Sequence, residues 1–124
     1  MPPRTLTTEQ VLSLLAETPL RLEALTADLA PARLQSPPVD DEWSANDVLA
    51  HLRACADVWG GCIAAIIAEE RPTLRAVNPR TWITQTNYRD QEFRTSLRAF
   101  AAQRAEPLAV LEPLPLEGWS RAAT

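Results

Sequence analysis

Four side chains stand out as able to do chemistry: His51, Cys55, Asp57 and Arg104. His51 and Cys55 are four residues apart, so on a helix they share one face. An imidazole beside a thiolate is ligand chemistry of the zinc type. The plainer role for the same histidine is that of a structural side chain flanking a core. Cys55 and Cys62 are seven residues apart, which on a helix separates them by about 10 Å at a rise of about 1.5 Å per residue. A disulfide needs Cα atoms within roughly 7 Å. The two cysteines are therefore expected to be free thiols, as suits a reducing compartment, and to serve as small buried apolar groups. Asp57 lies six residues past His51, on another face of the same helix, and is expected to be a solvated carboxylate. Arg104 falls where an apolar residue is expected. There it either snorkels or pairs with a carboxylate, or it faces a polar cavity and binds an anion. No residue can be named as catalytic from these spacings.

The elements that position these residues read as helices. The first begins near Thr8, where Thr7 and Gln10 have the spacing of a capping box. Its apolar stripe is Val11, Leu15, Thr18, Leu22, Leu25 and Leu29. The stripe keeps its phase across Pro19, which predicts one kinked helix rather than two. Pro31 and the Pro37-Pro38 pair are expected to end it. The second helix has Ser44 as N-cap and Asp47 in its first turn, where the helix dipole favours a carboxylate. Its stripe runs Val48, Leu52, Cys55, Trp59, Cys62, Ile66. Gly60-Gly61 weakens its middle by about 1 kcal/mol per glycine, and would either let a neighbouring helix or tryptophan approach closely or kink the helix.

From Arg71 to about Tyr88 there is no helical stripe, and Pro72 and Pro79 interrupt the segment. At about 3.3 Å per residue it can span the whole second helix. The chain can thus return to its starting end, so that the second and third helices run parallel. Trp82 and Ile83 are expected to pin this connection to the bundle; a lid over a site is the alternative. The third helix is predicted from near Asp90, with Asn87 as cap. Its stripe is Phe93, Leu97, Phe100, Arg104, Leu108 and Leu111, with Pro107 kinking the last turns. The reading is therefore all-α, with three long helices.

Composition narrows the function. The 124 residues hold one histidine, three glycines and eleven prolines, and all twelve basic residues are arginine. Without lysine there is no Schiff-base amine and no P-loop lysine. Glycines at positions 60, 61 and 118 only cannot form a G-x-G-x-x-G phosphate cradle. No serine sits in a strand-to-helix elbow. A net charge of −4, with arginines dispersed along the chain, argues against a nucleic-acid partner, because phosphate backbones reward a basic surface. The N-terminus carries no apolar signal core, and no apolar run approaches the roughly 20 residues of a membrane span. A cytoplasmic protein without a membrane partner is expected, forming a single domain over 1–124.

The run EWSANDVLAHL, from Glu42 to Leu52, resembles the signature of the DinB-like superfamily of metalloenzymes. The amphipathic helix upstream, the proline-rich approach to Trp43 and the place of the third helix fit in outline. The resemblance implies a four-helix bundle, often with an up-down-down-up course. It implies a divalent metal, zinc or nickel, held by three histidines. His51 matches the one on the second helix; the other two lie four apart on a fourth helix. Known relatives include transferases that use low-molecular-weight thiols, and a small-molecule thiol is the substrate type the intact family implies. The sequence departs from this pattern after Gly118-Trp119-Ser120-Arg121, where the family leads into its last helix. The expectation is a bundle one helix short, incomplete at its C-terminus, binding metal weakly or not at all and inactive by itself. The alternative is a non-enzymatic module that forms a homo-oligomer, such as a dimer, through the apolar groove left open.

Overall fold

A computed structural model describes residues 6–37, 39, 42–121 and 123. Among the described residues all regular structure is helical. Helix α1 spans Thr8–Thr26 and opens with the expected capping box: the Gln10 amide N–H donates to Thr7 Oγ1 (3.1 Å), and the Thr7 N–H donates to Gln10 Oε1 (2.9 Å). Pro19 is buried inside this one uninterrupted helix. The helix stops at Thr26, short of the predicted stripe. The Arg94 guanidinium donates to the carbonyl of Thr26 at 2.6 Å, satisfying an end that has no intrahelical partner. Leu25 is accordingly 76% exposed and Leu29 lies beyond the helix. Pro31 opens a new element rather than closing one. It starts the short helix α2, Pro31–Gln35, where a missing N–H is harmless. Of the Pro37-Pro38 pair, Pro38 lies outside the described residues.

Helix α3, Ala45–Ala68, begins as predicted, with Ser44 and Asp47 capping each other's backbone N–H groups. At its other end Arg121 donates to the carbonyls of Ile66 (3.0 Å) and Glu69 (2.7 Å). By length and composition α3 is apolar enough to cross a membrane. Arg53 and Asp57 at its middle are both hydrogen-bonded to other parts of the chain and tie it into the bundle. Its buried face is Asn46, Leu49, Ala50, Arg53 and Ala54, not the predicted stripe. Val48 and Trp59 of that stripe are 44% and 54% exposed.

The connection after α3 carries the short helix α4, Pro79–Trp82, capped by Asn78, and two single 3-10 turns, Ile83–Gln85 and Tyr88–Asp90. Ile83 is buried against Ala50 and Ala54, with Trp82 packed beside it. The two residues expected to pin the connection do so. Helix α5 spans Phe93–Leu111. Its cap is Glu92, not Asn87. The backbone N–H groups of Arg94 and Thr95 donate to the Glu92 carboxylate and hold its pKa below the ordinary range. Phe93, Leu97 and Phe100 of α5 form the main core with Leu34 and Leu49. Past α5 the described residues add the 3-10 helix Leu116–Ser120.

Three long helices therefore make one layer with α5 in the middle. Arg94 at the start of α5 meets the end of α1, so these two run antiparallel. Arg53 meets Ser96, and Asp57 meets Gln103, so α3 and α5 run parallel, as the long connection predicts. Helices α1 and α3 both pack on α5 but scarcely on each other, and a cleft opens between them. The glycine pair does not mark a close approach. A Cβ added at Gly60 or Gly61 would meet no heavy atom within 4 Å.

Two stability outcomes follow from this packing. Phe100→Ala, at a fully buried site, should cost about 3–5 kcal/mol in urea unfolding. Gly60→Ala should instead stabilise by about 1 kcal/mol, because the helix gains a better former and nothing is displaced. A destabilised Gly60→Ala protein would mean that the glycine faces a neighbour.

Candidate functional site

His51 sits on the second turn of α3, half-buried. Its Nε2 lies 3.5 Å from the Cys55 sulfur, so the i, i+4 pair forms as its spacing predicts. The Trp43 ring lies tilted over the imidazole at 5.3 Å between centroids, and the Arg80 guanidinium lies over the Trp43 ring, 5.6 Å from its centre. Under this cover His51 Nδ1 is shut off from solvent and meets no hydrogen-bond partner among the described residues. Burial pushes the Cys55 thiol above its ordinary pKa, which makes the thiolate scarce at neutral pH. Cys62 is a second free thiol, one helical stretch further on.

This donor set does not fit a divalent metal centre. An orphaned imidazole nitrogen is what a ligand position looks like, but a stable protein site for zinc takes three or four donors. Among the described residues no three of His, Cys, Asp and Glu converge. His51 and Cys55 offer two, and the buried thiol must lose its proton to serve as the second.

A second cluster was not legible in the sequence. Asp57 is no solvated carboxylate. Its Oδ2 accepts from the Trp82 indole N–H (3.0 Å) and the Tyr88 hydroxyl (2.5 Å), and its Oδ1 accepts from the Gln103 amide (2.6 Å). One turn earlier Arg53, 7% exposed, donates to Gln91, Ser96 and Gln103. Its guanidinium lies 3.9 Å from the centre of the Tyr88 ring. Every arm of this cluster is used in holding the connection and α5 to α3. The one available signal was the i, i+4 pairing of an arginine with a carboxylate on an otherwise apolar helix.

Arg104 lacks one of its two commoner roles. It pairs with no carboxylate among the described residues. Its guanidinium lies over Phe100, 4.9 Å from the ring centre. It lines the cleft between α1, α3 and α5, a cavity of about 220 Å³ that also takes in Leu15, Leu52, Cys55 and Trp59. On the other side of the Gly60-Gly61 pair, α3 and α5 enclose a second space of about 410 Å³, bordered by Asp57 and Glu106.

Residues 14–124 match a family model described as the DinB superfamily. Among solved structures the chain is similar to YfiT from Bacillus subtilis, described as a probable metal-dependent hydrolase with an unusual four-helix bundle topology. The likeness has a TM-score of 0.79 and covers 99% of this chain and 72% of that one, at 20% sequence identity. At that identity it is a likeness of fold. No curated protein matches the chain.

The Asp57 cluster sets a pH dependence. Tyr88 is the single tyrosine. Burial, then its hydrogen bond to Asp57 and the charge of that carboxylate, raise its pKa; Arg53 opposes them. A raised folded-state value means that folding favours the neutral phenol. That stabilisation is complete below the unfolded value of about 10 and is lost as pH rises through the higher folded value. Phenolate absorbance should therefore appear at higher pH in the folded chain than in urea, and Asp57→Asn should bring the two midpoints closer. Asp57→Ala, which strips three donors of their acceptor, should cost about 2–3 kcal/mol. Coincident midpoints in folded and unfolded wild-type protein would contradict this.

Proposed function

The chain belongs to the DinB superfamily, and from that membership we propose that it is a helical domain related to metal-dependent hydrolases whose own residues supply only part of a metal site. His51 is the metal-facing residue in this reading. The observation that carries it is the buried, unpartnered Nδ1 of His51. A buried imidazole nitrogen left without a partner is costly, and a ligand position is the chemical use for one. The family's hydrolase or thiol-transferase chemistry rests on a divalent ion that polarises an oxygen or activates a water or thiol. Two donors cannot hold such an ion tightly, so the chain by itself is expected to be inactive. Within this site the protein's own contribution is orientation and shielding: Trp43 covers the imidazole, with Arg80 over Trp43, and Ser44 and Asp47 anchor the helix end that carries it.

A second reading is favoured by the uncovered stripe on α3. Val48 and Trp59 are half-exposed along one line with Leu52 and Cys55, and stripes of this kind on helical proteins are usually covered. The occupant this reading names is a second copy of the chain, packed stripe to stripe about a two-fold axis.

Calorimetric titration with zinc and with nickel tests the first reading. Binding should be weak, without a sharp one-to-one transition, and His51→Ala should abolish what there is. A tight one-to-one site would overturn it. Light scattering tests the second. Mass should rise with concentration in the wild type and stay monomeric in Trp59→Glu; a wild-type monomer at the highest concentrations would overturn the dimer.

A further inference from the structure

Arg104 is a charge without a counter-charge in an apolar cleft. Among the described residues no side-chain or backbone acceptor bonds its guanidinium, and neither ion pair of the chain involves it. The face of the guanidinium is spent on the Phe100 ring. That leaves its in-plane N–H groups, the edge that grips a carboxylate through two parallel hydrogen bonds. The other polar side chain of the cleft lining, Gln103, has no donor to spare: its amide donates to Asp57 and to the Arg53 carbonyl, and its oxygen accepts from Arg53. The remaining lining comes from apolar or small residues, with Leu15 and Leu52 on facing helices and Trp59 at the side. Burial lowers the arginine's pKa from its ordinary value, the mark of a cation short of water.

We propose that this cleft binds a small monocarboxylate with an aromatic or alkyl body, the carboxylate held by Arg104 and the body lying between Leu15, Leu52 and Trp59. The charge count selects a monoanion. A phosphate dianion would bring a second negative charge into a lining with one cation, and an unpaired charge away from water is heavily penalised. The space selects a small body: about 220 Å³ is below the roughly 300–1,000 Å³ usual for drug-sized ligands. This site does not depend on metal binding by His51, and it stands or falls separately from that reading.

The matched pair 4-phenylbutanoate and 4-phenylbutan-1-ol tests it, followed by tryptophan fluorescence and calorimetry. Protein is kept below the concentration at which scattering detects any dimer. The acid should bind the wild-type chain at least tenfold more tightly than the alcohol. Arg104→Met should reduce the acid to the level of the alcohol while leaving the alcohol unchanged. Equal binding of acid and alcohol to the wild type, or no binding of the acid, would overturn the proposal without any variant. So would an Arg104→Met protein that keeps the preference for the acid.

Discussion

The bundle is organised around a buried guanidinium. Arg53 lies almost wholly out of water, and a charge in that position must be met on every side. Gln91 and Ser96 meet it from the far end of the connection and from α5, Gln103 from the next turns of α5, and the Tyr88 ring from below. Asp57 supplies the opposite charge one turn along α3 and gathers Trp82, Tyr88 and Gln103 in its turn. These partners are satisfied together only in one register. The connection must run back along α3, and α5 must start beside the start of α3. The parallel course of the two helices is the arrangement that brings these hydrogen-bond partners to one arginine. Arginine also closes two helix ends: Arg94 holds the last carbonyls of α1, and Arg121 those of α3.

That solution divides α3 into two faces with different duties. The polar and small residues, Asn46, Ala50, Arg53 and Ala54, face the connection and α5. The conspicuous apolar stripe, Val48 to Trp59, is left towards the cleft. Cys55 lines the cleft, His51 lies one turn before it beneath Trp43, and Asp57 lies on the packed side. The side chains with chemistry to offer are held on a helix whose other face is fully engaged, which gives them a rigid mount. Helix α5 completes the pattern. Its Phe93, Leu97 and Phe100 fill the core, and Arg104, one turn past Phe100, emerges at the cleft.

Much of this was legible locally. The Thr7–Gln10 capping box and the Ser44 cap stand at the predicted residues, because each depends on side chains three positions apart. Pro19 lies inside one helix, as the unbroken phase of the stripe requires. The start of α5 was misread: Asn87 was the expected cap, but the 3-10 turn Tyr88–Asp90 follows it and Glu92 caps the helix. Asp57 and the stripe of α3 misled for one common reason. Periodicity sorts a helix into faces but does not say which face meets a neighbour, and here the neighbour took the more polar one. The glycine pair misled similarly: glycine permits a close approach, but nothing in the chain made use of it.

By itself the sequence determined an all-helical chain, the starts of its first two long helices, two free thiols and a ceiling of one imidazole on any metal site. Its Glu42–Leu52 segment also carried the likeness to the DinB superfamily that the family match bears out. Only the tertiary structure decided which face of α3 is buried, that Asp57 is a structural hub, and that Arg104 ends unpaired in a cleft. The reason is range. Caps and helical phase depend on residues within about four positions of each other. The bonds that settle burial and charge here join residues 25 to 50 positions apart, and their partners exist only once the helices have met.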